Sequence, residues 1–184
     1  MKDAAPLIDE PVSIVDYDPA WQAAAAEEMA ALGKLLSSYD ARIEHVGSTA
    51  VEGMSAKPVL DLIVGLKDAE DVESAVDALK CAEWVDLGEA GVPGRRYLRR
   101  RGSRDANLHL VRRASRHWQA ALVLRDFLWT HPAERHAYSE AKRQACAGGR
   151  NSLLAYSDAK RRYVTELIER AYMWASEDEF RDNR

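Results

Sequence analysis

Residues of the kinds that bind charged ligands lie close together between Gly47 and Asp61. Gly47, Ser48 and Thr49 follow one short apolar segment, Lys57 precedes a second one, and Asp61 lies within it. A glycine allows a ligand to approach the backbone, so that exposed N–H groups and the two hydroxyls can contact phosphate oxygens. A carboxylate among Val, Leu and Ile residues needs a metal ion, a cation or several donors to offset its desolvation. We therefore predict a phosphate site next to a partnered Asp61.

The flanking residues predict how these groups are positioned. Residues 42–46 (R-I-E-H-V) and 59–66 (V-L-D-L-I-V-G-L) are short segments rich in apolar residues, as is typical of strands. The Gly-Ser-Thr sequence ends the first strand, and a loop that carries Lys57 and Pro58 leads into the second. One strand-loop-strand unit is thus expected to present the hydroxyls, the lysine and the carboxylate together.

This order resembles the nucleotidyltransferase superfamily, in which Gly-Ser at the end of one strand is followed by Asp-hydrophobic-Asp on the next. Ile63 stands at the position of the second carboxylate. The pattern I-E-H-V-G-S-T-A-V-x-G-x-x-A-K-P-h-h-D-h, with h apolar, is similar to the GrpB-type family of this fold and departs from it at Glu52, where Pro is usual. In that family the second Asp position is often apolar. A related domain is fused to dephospho-CoA kinase, so the resemblance implies a connection to coenzyme A metabolism.

Length and composition are consistent with such a fold. A chain of 184 residues that is 47% hydrophobic can bury one substantial core. The resemblance implies an α+β fold, with a nucleotidyltransferase-like mixed β-sheet flanked by helices and a C-terminal helical half packed on it. We expect the α/β core over residues 12–112, the helical half of the same compact unit over residues 115–175, and flexible ends at 1–11 and 176–184.

Apolar periodicity and capping residues predict the elements that build this fold. Helices are expected to begin at or near Asp18, Asp68, Ser115, Pro132 and Asn151. Further strands are expected over residues 12–15, 83–87, 95–101 and 106–111.

His109 is a candidate site residue on the last of these strands. Alternation places it on the face opposite Leu108 and Leu110. A lone strand histidine is usually structural, but the third carboxylate of a nucleotidyltransferase lies on such a strand. The resemblance thus implies a divalent ion, Mg²⁺ or Mn²⁺, held by Asp61 and His109 with Glu44 or His45, and the nitrogen ligands favour Mn²⁺ or Zn²⁺.

Basic residues offer a second set of candidates. Nine arginines crowd between Arg95 and Arg116; they either form the solvent-exposed face of a hairpin or neutralise an anionic ligand, for which Arg96 is the candidate. Arg125 and Lys160 fall on the apolar stripes of their helices. Either they extend to solvent or pair with Asp126 and Asp158, or they point into the cleft that holds Asp61.

Overall charge and composition limit the classes of partner. The net charge is −4, and Tyr97 is the one aromatic residue in the arginine-rich segment, which makes nucleic-acid binding an unlikely function. Two cysteines are too few for a disulfide scaffold. No apolar run approaches the length of a membrane span, so the expectation is a cytoplasmic protein without a membrane partner. The oligomeric state cannot be read from the sequence.

These observations lead to one functional hypothesis and one alternative. The hypothesis is a GrpB-type nucleotidyltransferase-like protein that binds a nucleotide or other phosphorylated molecule between the sheet and the C-terminal helices, and transfers a nucleotidyl or related group. Catalysis would then use Asp61, His109 and Lys57. Phosphate would be bound by Gly47, Ser48, Thr49, Arg96, Arg125 and Lys160. The alternative is a non-catalytic module that senses a nucleotide or coenzyme A precursor, because the second carboxylate is replaced by Ile63.

Overall fold

Five strands form one mixed sheet. The computed structural model describes residues 9–147 and 152–182. The strands are β1 (Ala41–Val46), β2 (Leu60–Leu66), β3 (Val85–Asp86), β4 (Arg96–Arg100) and β5 (Ala106–Arg112). Their spatial order is β1-β2-β5-β4-β3, in which β2 and β5 pair parallel and the other neighbours pair antiparallel.

In the described part of the chain, five α-helices surround the sheet, close to the predicted positions. They are α1 (Ala20–Leu35), α2 (Val72–Cys81), α3 (Arg116–Thr130), α4 (Pro132–Ala147) and α5 (Leu153–Asp182). Ser115 caps α3 as predicted, because its Oγ accepts from the Trp118 amide at 3.2 Å. The predicted cap of α5, Asn151, lies outside the described residues. α5 continues through Asp182, beyond the expected boundary at residue 175.

The strand predicted over residues 12–15 is an isolated bridge instead. Val15 exchanges two backbone hydrogen bonds with Ala56, at 2.9 and 3.0 Å. Just before it, the Glu10 carboxylate pairs with Arg99 and Arg101, and the Glu10 carbonyl accepts from the Leu153 amide at 2.8 Å. Residues 9–11 therefore connect the arginine-rich strands to the start of α5.

Alternation along the strands gives the sheet two different faces. The first, which we call the closed face, packs against α1 and α2 in one buried apolar cluster that includes Leu62, Leu98 and Leu108. The second, which we call the cavity face, turns toward α3 and α5. Its central residues are Asp61, Ile63, Tyr97, Asn107 and His109, which are register neighbours on β2, β5 and β4.

A glycine allows α3 to pack directly on the cavity face. A Cβ atom at Gly65 of β2 would lie 2.7 Å from the Trp118 ring of α3, closer than any side chain could be accommodated. Trp118 packs there with Val46, Ile63 and Val111 in a small buried cluster. The middle of the sheet is thus in contact with α3, while the polar residues at one end of the strands remain beside open space. Among the described residues, no helix is long and apolar enough to cross a membrane.

Candidate anion-binding site

A cavity of about 610 Å³ lies between the cavity face, α3 and α5. The loop between β3 and β4 contributes Ala90 and Val92 to its wall. Seven residues predicted for the site line this cavity: Gly47, Ser48, Lys57, Asp61, His109, Arg125 and Lys160. The structure thus brings together most of the residues that the sequence singled out.

The turn after β1 brings the backbone against the Asp61 carboxylate. Gly47 adopts a φ of 70°, which favours glycine, and a Cβ atom there would lie 2.8 Å from Asp61 Oδ2. Ser48 follows at the start of a short 3₁₀ helix, Ser48–Ala50, and lines the cavity. A glycine at position 47 is therefore required for the carboxylate and the loop to approach each other.

Asp61 is the carboxylate at the centre of the site. The Asn107 amide donates to its Oδ1 at 2.6 Å from the register neighbour on β5. Burial opposes ionisation, but the charge of Lys57 and this hydrogen bond outweigh it, so that the pKa of Asp61 lies below its ordinary value. Asp61 is therefore a carboxylate anion at neutral pH, as the sequence required of a partnered acid.

Lys57 and Lys160 place positive charge around this carboxylate. Burial lowers the pKa of both lysines, and Asp61 opposes that effect in each case. Lys160 Nζ lies 4.5 Å from the ring centroid of Tyr156, in cation–π contact. Within the part of the chain that the structure describes, neither lysine has a carboxylate within ion-pair distance. Their charge is thus available to an anion in the cavity.

A third lysine, Lys142 of α4, belongs to the site and was not predicted. Its side chain is 1% exposed, and Nζ lies 2.8 Å from Ser48 Oγ and also hydrogen bonds to the Ser55 carbonyl. Burial lowers the pKa of Lys142 to about 6. The sequence signal was present, because Lys142 is in helical register with Tyr138 and Ala145, both of which are buried.

Arg95, His109 and His117 form a second polar group at the other side of the cavity. Arg95 Nη1 lies 3.2 Å from His109 Nδ1, and the two histidine rings stack with centroids 5.6 Å apart. Burial lowers the pKa of His109 to about 3, so its ring is neutral. A guanidinium group can only donate, so Nδ1 accepts and Nε2 carries the ring hydrogen. His109 therefore offers the cavity a donor rather than a positive charge.

Arg125 lines the cavity, but its charge is already paired. Its guanidinium donates to Glu44 Oε2 and to Asp126 Oδ1, both at 2.8 Å, and to the His45 carbonyl at 3.1 Å. Both interpretations of this residue are thus partly right: the side chain reaches the cavity and also makes the expected pair with Asp126. Arg125 therefore connects β1 to α3. Its positive charge is less available to a ligand than the charges of Lys57 and Lys160.

Four predicted residues do not line the cavity: Glu44, which pairs with Arg125, and His45, Thr49 and Arg96. His45 pairs with Leu62 and therefore belongs to the closed side of the sheet, where Nε2 lies 2.9 Å from Thr49 Oγ1. This contact also turns the buried Thr49 hydroxyl away from the cavity. Arg96 follows the same rule of alternation, since its neighbour Tyr97 is on the cavity face. Its guanidinium pairs with Asp86 and Glu73.

The rest of the arginine-rich segment is largely engaged in ion pairs. Arg100 and Arg104 pair with Glu28 and Glu27 of α1, and Arg113 pairs with Asp40. These contacts tie the hairpin and the end of β5 to the N-terminal part of the fold, so the expected solvent-exposed face is mostly an ion-pair surface. Arg95 is the member of this segment that lines the cavity.

The donor set does not fit the divalent ion that the resemblance implied. His45 points away, Glu44 is bound to Arg125, and the His109 ring has no free lone pair while Arg95 donates to Nδ1. Among residues 9–147 and 152–182, no three His, Cys, Asp or Glu side chains are placed to hold a metal ion together. Ile63 contributes no ligand at the position of the second carboxylate.

Comparisons with known proteins agree with this fold. A family model described as GrpB protein matches residues 11–170. A UPF0157 protein of Streptomyces coelicolor is 32% identical over 161 residues, which cover 87% of this chain and 84% of that protein. The chain spans about half the length of two other relatives, namely 48% of a UPF0157 protein of Bacillus subtilis and 47% of a dephospho-CoA kinase of Mycobacterium leprae.

One solved structure of the family gives the same result. The crystal structure of GrpB from Enterococcus faecalis superposes with a TM-score of 0.79 at 27% identity, over 86% of this chain and 96% of that one. Terminal uridylyl transferase 4 from Trypanosoma brucei, solved with bound UTP, gives a TM-score of 0.46 at 20% identity, over 71% of this chain and 42% of its own. The predicted α+β fold class and the predicted family are confirmed: the chain belongs to the GrpB family.

Proposed function

We propose that the cavity binds a phosphorylated ligand, and that this ligand is a nucleotide. The observation that supports the proposal is the excess of buried basic groups. Lys57, Lys160 and Arg95 line the cavity with a single carboxylate, Asp61. Buried charge without an oppositely charged partner is unfavourable, so a polyanion that pairs with these basic groups would offset that cost.

The remaining wall of the cavity suits the uncharged part of a nucleotide. Leu124 of α3 and Val164 and Ile168 of α5 line it, together with the aromatic residues Tyr97 and His117. Apolar walls with a few convergent polar groups are typical of sites for small organic ligands. The polyphosphate would lie near Ser48 and the lysines, and the base near the rings.

Transfer of the nucleotidyl group is the activity that this arrangement supports. In such a reaction negative charge builds up on the departing phosphate, and Lys57 and Lys160 would stabilise it by electrostatics. Ile63 favours the alternative, a binding module without turnover, because it removes the second carboxylate of the superfamily pattern. The similarity to dephospho-CoA kinase makes dephospho-CoA and coenzyme A ligands to be tested beside nucleoside triphosphates.

Thermal denaturation with this panel tests the proposal. At a hundred times its dissociation constant, a ligand adds about 2.7 kcal/mol to the free energy of unfolding, which for this chain length raises the melting temperature by roughly 5–10 °C. We expect this rise with at least one triphosphate, with EDTA present or absent.

A matched pair of lysine substitutions provides the control. Lys160→Met should abolish the rise, whereas Lys34→Met, at an exposed position of α1, should leave it unchanged. No rise with any member of the panel in the correctly folded wild-type protein would reject the proposal. A rise without turnover of any nucleotide would favour the binding module.

A further inference from the structure

Lys142 and Ser48 form a buried contact whose chemistry the proposed function does not use. Lys142 is 1% exposed and is not one of the residues that line the cavity. Its Nζ lies 2.8 Å from Ser48 Oγ, and its other polar partner is the Ser55 carbonyl. Ser48 itself lines the cavity. A hydroxyl that faces a ligand site is thus in direct contact with an amine that solvent does not reach.

The surroundings of Lys142 favour the neutral amine. Asp61 of β2 attracts a proton to Nζ, whereas Lys160 of α5 and Arg143 of α4 repel it, and the Tyr138 ring centroid lies 4.8 Å from Nζ. Burial is the main cause of the lowered pKa of Lys142, which together with this repulsion falls to about 6. Among the described residues, no carboxylate lies within ion-pair distance of this lysine.

A neutral amine has one lone pair, and the geometry determines which partner uses it. The Ser55 carbonyl can only accept, so an N–H group of Lys142 is directed to it. A hydroxyl can accept or donate, so Ser48 can donate its hydrogen to Nζ when the amine is uncharged. This is the arrangement of a nucleophile with an adjacent base.

We propose that Ser48 is a nucleophile whose hydroxyl proton is accepted by Lys142, and that it attacks the α-phosphorus of a bound nucleoside triphosphate. The Oγ–phosphorus bond forms as the bond from that phosphorus to the pyrophosphate oxygen breaks. Pyrophosphate leaves with the electron pair, and the hydroxyl proton passes to Nζ. The proposal rests on the proposed function for its electrophile.

The serine adduct is an intermediate that an acceptor hydroxyl or water can resolve. The acceptor oxygen attacks the same phosphorus, Ser48 Oγ leaves and regains the proton held by Lys142, and the acceptor's proton passes to solvent. Lys57 and Lys160 face the departing pyrophosphate from the cavity wall. Covalent catalysis of this kind divides one transfer into two steps and needs no second carboxylate.

The reactivity of Ser48 is tested first with phenylmethylsulfonyl fluoride, which needs no nucleotide. Oγ attacks sulfur, fluoride leaves, and the proton passes to Lys142. We expect peptide mass spectrometry to find the label on Ser48, at a rate that rises with pH through about 6 and then levels. Ser48→Ala should lose the label, while Ser139→Ala, at another buried serine, should keep it.

Variants of Lys142 separate proton transfer from a structural role. Lys142→Met should slow the labelling about a hundredfold and remove the plateau of the pH profile. Because a thiol ionises near pH 8.5 without help, Ser48→Cys should restore labelling of the Lys142→Met protein. Labelling of Ser48 that is equally fast with Lys142→Met, or no labelling of a folded wild-type protein, would overturn the proposal.

Incubation with [α-³²P]ATP then tests the nucleotide as electrophile. We expect label on Ser48 and release of pyrophosphate, both lost with Ser48→Ala. If triphosphates stabilise the protein but neither probe labels Ser48, the inference fails and the proposed function stands. If the sulfonyl fluoride reacts as expected but no triphosphate binds, the proposed function fails, and the nucleotide is rejected as the electrophile.

Discussion

The two faces of the sheet are covered by helices of similar length, 16 residues in α1 and 15 in α3, yet they are packed differently. On the closed face, apolar side chains fill the space between the strands and α1. On the cavity face, Trp118 fills one end, and the other end holds a carboxylate, an asparagine and several basic groups around open volume. The difference separates two roles: one face supplies most of the buried apolar area, and the other carries buried charge beside the cavity in which we propose that a ligand binds.

The largest effect is expected from a pair of neighbouring residues on β2. Leu62 and Ile63 are both fully buried, but they point to opposite faces. Leu62→Ala should lower the free energy of unfolding by about 3–4 kcal/mol, whereas Ile63→Ala, beside existing space, should lower it by about 1–2 kcal/mol. Urea unfolding followed by circular dichroism measures both. Equal losses would mean that the two faces are packed alike.

The next effect concerns the charge of Asp61. Asp61→Asn removes the negative charge that attracts Lys57 and Lys160 and that accepts the Asn107 hydrogen bond, and it should cost about 1.5–3 kcal/mol, the range for a hydrogen bond to a charged group. The lowered pKa of Asp61 means that its contribution is complete above its ordinary value of 3.8 and is lost as pH falls below that value. The stability difference between wild type and Asp61→Asn should therefore shrink in acid.

Glu44→Gln is the control for this prediction. Its carboxylate is 38% exposed and pairs with Arg125, so its loss should cost less than about 1 kcal/mol. If the Asp61→Asn protein is no less stable than the Glu44→Gln protein, the negative charge of Asp61 does not stabilise the lysines around it. Unfolding free energies between pH 2 and pH 8 make the comparison: the difference is expected to begin to shrink below about pH 4 and to vanish only below the lowered pKa of Asp61.

A smaller effect should distinguish two adjacent arginines. Arg95 lines the cavity, and Arg96 pairs with Asp86 and Glu73 on the other side of the sheet. Arg95→Gln should weaken triphosphate binding by about tenfold, or roughly 1.4 kcal/mol, with little effect on stability. Arg96→Gln should lower stability slightly and leave affinity unchanged. Isothermal titration calorimetry checks the affinities, and a reversed pattern would reject the assignment of the faces.

The smallest effect is expected from metal removal. Since the donor set around Asp61 does not fit a divalent ion, EDTA should change the triphosphate-induced stabilisation by less than about 0.5 kcal/mol. The Ile63→Asp variant restores the second carboxylate of the superfamily pattern and should acquire a dependence on Mn²⁺. A strong dependence on Mg²⁺ or Mn²⁺ in the wild-type protein would contradict the placement of charges described above.

The sequence predicted the centre of the site because its signals were local. An aspartate within an apolar strand needs a partner, and Gly-Ser at a strand end favours a close approach of backbone and ligand. Both inferences depend on a few adjacent residues. Lys142 was missed, although it lies in helical register with buried residues of α4, just as Lys160 does on α5. A charged residue on the buried stripe of any helix is therefore a candidate for the site.

The misplaced residues depend on long-range register. His45 and Asp61 lie on opposite faces because Val46 pairs with Asp61, and that pairing is set by the conformation of the loop between the strands. The alternation of side chains within each strand does not determine the register in which the two strands pair. The same limitation applies to residues 9–11, where the contacts of Glu10 are made with residues far away in the sequence.

Those contacts of Glu10 have a consequence for motion. Glu10 contacts both the arginine-rich segment and the first turn of α5. Its carboxylate pairs with Arg101, and its carbonyl accepts a hydrogen bond from the Leu153 amide. Leu153 also lines the cavity. Separation of α5 from the sheet at that end must break both attachments together, so it is expected to occur as one cooperative opening event.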